Sequence, residues 1–314
     1  MKYIQNFFIT IAQIITLGFL NHFVVLSDAI AQTAPAPSKQ AVANEVATKG
    51  LLFEVKSGQN VAYLFGSIHI AKADYYPMSK KVEDAYNGAD IVAVEADTSD
   101  PSSMQALMPK LSYAAPDKLQ NHLKPETWSN VQAVFGPAAE QMQGFKPFVL
   151  SSAVSLQVGM QMGFDPSQGI DLHYINRAKK DKKSLIELEG AEYQVNLVSS
   201  LNDQEGDAMI ASLLSSMKTG ELPQELTKIS NAWKAGDAET IAQLFADAAK
   251  KDEGSRKMMK LLMDDRNVLM AKKVSDLMAS GKKLFVVVGA GHLAGEKSVV
   301  ELLQKQGMTV TRIR

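Results

Sequence analysis

Two short runs of apolar, mostly β-branched residues, Ile91-Val92-Ala93-Val94 and Leu284-Phe285-Val286-Val287-Val288, restrict what this chain can fold into more than any other feature. A strand with one wet face alternates apolar and polar residues. A strand apolar at every position is covered on both faces, as in parallel sheets packed between helices. Around these runs, Leu51–Val55 and Val61–Phe65 flank the turn cluster Ser57-Gly58-Gln59-Asn60 and read as a β-hairpin. A helix is predicted over Ser79–Asn87, with Ser79 as N-cap and Val82, Ala85 and Tyr86 on one face. Asp171–Lys180 reads as a helix feeding a strand at Ser184–Leu188. A helix over Glu296–Gln306 and a strand at Thr309–Ile313 form a βαβ-like ending.

Strand signals vanish from Pro101 to about Gly163 and again from about Glu192 to Ser280, so both stretches read as helical insertions, the first cut into short helices by Pro116, Pro125, Pro137 and Pro147. The expected fold class is α/β: a mostly parallel central sheet with helices on both faces and a large helical insertion, in one domain over residues 51–314. At 314 residues and 46 % hydrophobic, the chain can fill such a core.

Ahead of the fold, Lys2 precedes an apolar run from Phe7 to Leu26, and Ala29-Ile30-Ala31 offers the small-x-small pattern of a signal peptidase site. Gln13, Asn21 and His22 interrupt the run and argue against a permanent membrane anchor. Residues 1–31 are expected to be a signal peptide cleaved after Ala31. Residues 32–50, rich in Ala, Pro, Ser, Thr and Gln, are expected to be a flexible linker, giving a periplasmic or secreted protein with no membrane span after cleavage.

A formal net charge of -1 gives no reason to expect nucleic acid as partner, which leaves peptides and other small extracytoplasmic substrates. The absence of cysteine removes disulfides, thiolate nucleophiles, Cys-ligated zinc and a lipoprotein anchor. A bound metal would be held by His, Asp and Glu, a set suited to zinc, manganese, cobalt or iron. There is no phosphate-binding loop with its lysine and no Gly-x-Ser-x-Gly elbow.

In open parallel sheets, ligands bind beyond the carboxyl ends of the strands. Ionisable residues gather at four such ends: His69 in Gly66-Ser67-Ile68-His69, Glu95, the pair Glu187 and Glu189, and His292 in Gly289-Ala290-Gly291-His292. Gly66 and Gly289 would let the chain turn tightly off each strand. A carboxylate at the end of a buried run needs a partner, so Glu95 is the sharper candidate, with Asp97 as its alternative. At most one of Glu187 and Glu189 is expected to face the site, with the other meeting solvent or a basic residue. His173 is either a further ligand or a polar contact on a core-facing helix. His122 reads as a surface residue, and Arg266-Asn267 as either a solvated helix face or an anchor for a carboxylate or substrate oxyanion.

The ordered set Leu52-Phe53-Glu54-Val55, Tyr63–His69, Tyr76-Pro77, Val94-Glu95, Gly169-Ile170-Asp171, Asp265-Arg266-Asn267 and Val288–Leu293 resembles the TraB/GumN family over essentially the whole chain from Leu51. The resemblance implies an α/β fold akin to the erythromycin-esterase and ChaN-like proteins, and kinship with the TIKI proteases, metal-dependent peptidases acting on Wnt proteins. It implies a metal-dependent centre at His69, Glu95 and His292, holding a divalent ion such as manganese, cobalt or zinc, with Asp171, Arg266 and Asn267 in supporting roles. The expected function is a metal-dependent peptidase working outside the cytoplasm. The alternative is a non-catalytic envelope protein that binds a peptide pheromone or a polysaccharide precursor.

Overall fold

The computed structural model describes residues 48–250 and 253–314. The expected signal peptide at residues 1–31, and the expected linker as far as residue 47, lie outside the described residues. Of the stretch read as linker, Thr48 to Gly50 are built into the fold: Thr48 is buried and bridges to Met78, and its carbonyl accepts from the Ser79 amide.

The hairpin forms from β1 (Leu51–Ser57) and β2 (Asn60–Ser67), paired antiparallel with Ser57 opposite Asn60. Gly58, in the two-residue turn, sits at φ +58, a left-handed conformation that glycine adopts without steric penalty. After α1 (Lys80–Asn87) come β3 (Ile91–Val94), α2 (Pro101–Leu107), α3 (Pro125–Phe135), α4 (Ala138–Gln141), α5 (Pro147–Gln161), α6 (Ile170–Lys180) and β4 (Ser184–Glu187). The chain continues through α7 (Ala191–Ser199), α8 (Asp203–Thr219), α9 (Glu221–Ala235), α10 (Ala238–Ala249), α11 (Glu253–Met259), α12 (Asp265–Met278), β5 (Leu284–Gly289), α13 (Val299–Lys305) and β6 (Thr309–Ile313). Pro101, Pro125 and Pro147 each open a helix, where the missing amide proton costs nothing. The prolines therefore punctuate this region by starting helices.

The six strands form one sheet in the order β4-β3-β5-β2-β1-β6. β4, β3, β5 and β2 are mutually parallel, and β1 runs against its neighbours β2 and β6. The α/β class with a mostly parallel sheet follows from this order. Leu284 to Val288 are each at most 1 % exposed, so β5 is covered on both faces, as its unbroken apolar run demands. Tyr86 of α1 and Tyr174 of α6 close one of those faces by packing on Phe285. The last crossover does not return to a neighbouring strand, since β6 pairs with β1, two strands beyond β5.

Helix ends differ from the sequence reading in two places. Val82, Ala85 and Tyr86 form the buried face of α1 as expected, but the Ser79 side chain makes no cap bond. Its backbone is used instead, donating to Thr48 and accepting from Val82 and Glu83. α13 begins at Val299 rather than Glu296. Gly295 and Lys297 both hold positive φ, and Ser298 caps the helix by accepting from the Glu301 amide. No helix among the described residues is long and apolar enough to cross a membrane.

Candidate functional site

The parallel strands end level with one another: Ser67 lies opposite Gly289, and Val94 opposite both Val287 and Glu187. The chain then leaves each strand within a residue or two. His69 follows β2, Glu95 follows β3, Glu189 follows β4, and His292 sits in a 3-10 turn over Ala290–Leu293 after β5. One edge of the sheet therefore gathers residues far apart in sequence, all of them with buried side chains.

His69 is set by α6. The Ile170 amide donates to the Ile68 carbonyl at 2.9 Å, and a Cβ on Gly169 would lie 2.4 Å from the His69 carbonyl oxygen, so only glycine admits this approach. The docking brings Asp171 to the imidazole, with Oδ2 2.9 Å from Nδ1. Burial alone would lower the pKa of His69, but the charge and hydrogen bond of Asp171, with help from Glu95, outweigh it and raise the value above the usual histidine range.

His292 is held the opposite way. Its Nδ1 lies 2.6 Å from Asn267 Oδ1, while Asn267 Nδ2 donates to the Lys297 carbonyl at 2.9 Å. With the amide oriented by that second bond, its oxygen accepts the Nδ1 proton, and the lone pair of the neutral ring lies on Nε2. Burial, offset only in part by Glu95, pushes the pKa of His292 down to about 3. The Nε2 atoms of both histidines are buried without a hydrogen-bond partner.

Glu95 is clamped from three sides. Oε1 accepts from the Gly289 amide at 2.6 Å, and Oε2 accepts from Arg266 Nη2 at 2.6 Å and from Gln194 Nε2 at 3.1 Å. His292 Nε2 stands 3.7 Å from Oε1. Burial opposes the carboxylate charge, but Arg266 and the two histidines outweigh it and hold the Glu95 pKa near 2. Arg266 also grips Glu189, with Nε 2.9 Å from Oε1 and Nη2 2.7 Å from Oε2, and Gln194 closes the network by donating to Glu189 at 3.0 Å. Arg266 reaches this position just after a π-helical segment, Lys260–Asp264, that widens the helix between α11 and α12. Such bulges re-aim the residues around them, and the Arg266 side chain folds back to the Leu262 carbonyl at 3.2 Å.

Several sequence expectations are thereby decided. Arg266 and Asn267 are 1 % and 3 % exposed, so they anchor the site and do not form a solvated face. Glu189 enters the network. Glu187 does not: it is exposed and accepts from the Asp97 amide at 2.6 Å, because β4 stops at Glu187 and the chain bends before Glu189. Asp97 turns away to Lys179 at 2.7 Å and stands outside this network. His173 makes ring contacts with Tyr76 and Tyr174, the core contact rather than a further ligand. His122 is half-buried rather than on the surface, held between Asp117 and Asp203 in the helical region.

Gly66 and Gly289 serve the site by leaving space, and neither has a positive φ. A Cβ on Gly66 would lie 3.0 Å from the Ala290 Cα, and one on Gly289 would lie 3.3 Å from Glu95 Oε1. Sequence reasoning missed Gln194, a buried polar residue on the inner face of α7, and Ser67, whose buried hydroxyl has no partner. A glutamine on an otherwise apolar helix face was the available signal.

Glu95 and Glu189 share the guanidinium of Arg266, while the third buried carboxyl group, Asp171, pairs with His69. Among the described residues, however, no group of three or more His, Asp or Glu side chains is placed so that it could hold a metal ion.

A sequence model of the family described as TraB/PrgY/gumN matches residues 51–312. The protein YbaP, described as uncharacterized, from Shigella flexneri and from Escherichia coli K12, is 28 % identical over 257 residues, covering 79 % of this chain and 89 % of the relative. Metalloprotease TIKI1 of Danio rerio is 22 % identical over 299 residues, covering 79 % of this chain and 60 % of its own length. No solved structure matches.

Proposed function

The chain belongs to the TraB/PrgY/gumN family, and from that premise we propose that it is a metal-dependent hydrolase acting on peptides outside the cytoplasm, centred on His69, Glu95 and His292. One observation carries the reading. Two histidines from distant parts of the chain each fix Nδ1 on an acceptor and leave Nε2 buried and unpartnered at the same sheet edge. A buried polar atom without a partner is costly, and two such imidazole nitrogens beside a carboxylate are the donors a divalent ion uses. The name of one distant relative, a metalloprotease, supports the same reaction class. The extracytoplasmic placement rests on reading residues 1–31 as a cleavable signal.

The donor types are those that manganese, cobalt or zinc take, and His69 Nε2, His292 Nε2 and Glu95 Oε1 would hold the ion only on closing up from their present spacing. When bound, such an ion supplies Lewis acidity toward a scissile carbonyl. Asp171 and Asn267 hold the two rings in the tautomer that keeps Nε2 available. We assign Glu95 the role of fixed negative charge and ligand rather than proton acceptor, because both its oxygens already accept hydrogen bonds and its charge is tied to Arg266. Gln194 and Glu189 keep Arg266 from drifting into the space the histidines face.

Purified protein dialysed against each metal and freed of excess should retain about one ion per chain. His69→Ala and His292→Ala should lose it, and retention equal to wild type in both variants overturns the assignment. In a mass-spectrometric time course, peptide cleavage should stop with chelator and with Glu95→Gln. Saturable binding of a peptide or polysaccharide precursor that ignores chelator, without cleavage, would support the non-catalytic alternative.

A further inference from the structure

We propose that the recess beside His292 is a side-chain pocket selecting an apolar residue next to the reacting bond, with Ile229, Ile241, Phe245 and Met263 as its specificity-determining residues. The proposal rests on the hydrolase reading above and names a substrate class for it: peptides or amides presenting an aliphatic or aromatic side chain.

Ser67 and His69 stand between two recesses of different chemistry. On one side lie Glu95, Thr98, Asp171 and Gln194, including Thr98 Oγ1 and Asp171 Oδ1, which are buried without partners. On the other lie Ile68, the Gly289–His292 turn and the four apolar side chains named above, and among the described residues the only titratable groups lining that recess are the two histidines. A molecule lying across His69 therefore meets unsatisfied hydrogen-bonding groups in one direction and hydrocarbon in the other. A charged side chain in the second recess would lose water without gaining a partner, whereas an aliphatic or aromatic one would bury apolar surface.

The apolar wall is built into the same framework as the histidines. Ile229 is carried on α9, which is pinned to the end of β2 by Trp233 Nε1 donating to the Gly66 carbonyl at 2.7 Å. Ile241 and Phe245 are one turn apart on α10, and Met263 comes from the π-helical segment that precedes Arg266. The Phe245 ring rests on Gly291, where a Cβ would lie 2.4 Å from its Cζ. A larger residue at position 291 would push the ring away, so this glycine of the second Gly-x-x-His turn keeps the aromatic wall in place. Ile229, Ile241 and Met263 are buried, whereas Phe245 is half-buried and forms the rim.

The test separates pocket from chemistry by reading binding alone. Ligand-observed NMR on the intact protein would compare N-acetyl-leucinamide and N-acetyl-phenylalaninamide with the lysinamide and aspartamide analogues. The apolar pair should bind at least about tenfold more tightly, and Phe245→Glu, a change at the solvent rim, should erase the preference while the protein still melts cooperatively. Equal binding of all four compounds, no binding of the apolar pair, or an unchanged preference in Phe245→Glu overturns the proposal. A wild type that discriminates among these amides yet holds no metal and cleaves no peptide keeps the pocket and loses the hydrolase reading.

Discussion

Replacing Arg266 by methionine tests the electrostatic frame of the site directly. The substitution removes the guanidinium that Glu95 and Glu189 share and leaves Glu95 with Gln194 and the Gly289 amide, and Glu189 with Gln194. In the native fold the Glu95 pKa is lowered from 4.5 to about 2. Each tenfold change in proton affinity is worth ~1.4 kcal/mol, so ionisation of Glu95 contributes ~3 kcal/mol of stability. Removing one partner of a buried ion pair costs about 3–5 kcal/mol, and that range sets the expected deficit. Linkage between protonation and folding sets the sign. A depressed carboxyl stabilises the fold fully above its unfolded pKa of 4.5, and that contribution is lost as pH falls toward about 2. In Arg266→Met the largest depressing charge is gone and burial raises the carboxyl, so protonation relieves the variant while it weakens the wild type. Denaturant unfolding followed by circular dichroism should show a deficit of ~3–5 kcal/mol at pH 7 that narrows at pH 4. Adding Glu95→Gln and Glu189→Gln should restore much of the loss, because the uncompensated charges are then absent. A deficit under about 1 kcal/mol, the scale of an exposed ion pair, or one equal at both pH values, would refute the reasoning.

Asn267→Leu should leave the His292 ring unoriented and weaken metal binding about 10–100-fold in equilibrium dialysis, the usual effect of losing the group behind a ligand. Gly169→Ala should destabilise the protein by about 1–3 kcal/mol in thermal or denaturant unfolding, because its Cβ would sit 2.4 Å from the His69 carbonyl oxygen and α6 would have to back away. Asp171→Asn should remove a pH-dependent part of the stability of the metal-free protein. The raised His69 pKa contributes fully below the unfolded value of 6.5 and is lost as pH rises through the folded value, so unfolding curves of wild type and variant should converge on the alkaline side.

How much of this was legible beforehand depended on how local each signal is. The strand-end residues His69, Glu95 and His292 could be read because a strand covered on both faces writes itself as an apolar run, and the residues just past the end of such a run lie at the functional edge. The choice between Glu187 and Glu189 could not. Strand alternation would set both on one face, and they part only because β4 stops at Glu187, an event fixed by contact with β3. Arg266 looks like any charged residue on a long helix, since the π-helical segment that turns it inward leaves no mark in the apolar spacing. The apolar pocket was equally hidden, because Ile229, Phe245 and Met263 lie on three separate helical segments and carry no local mark of a shared recess.

The sequence by itself determined the α/β class and the sheet edge at which His69, Glu95 and His292 gather, because periodicity and strand ends are properties of neighbouring residues. The tertiary structure decided which acid is clamped, which histidine nitrogen is left free and what lies beside it. Those outcomes depend on groups separated by as many as 194 positions, such as Glu95 and the Gly289 amide, meeting within hydrogen-bond distance. Burial then converts each meeting into a fixed charge, a fixed tautomer or an empty valence.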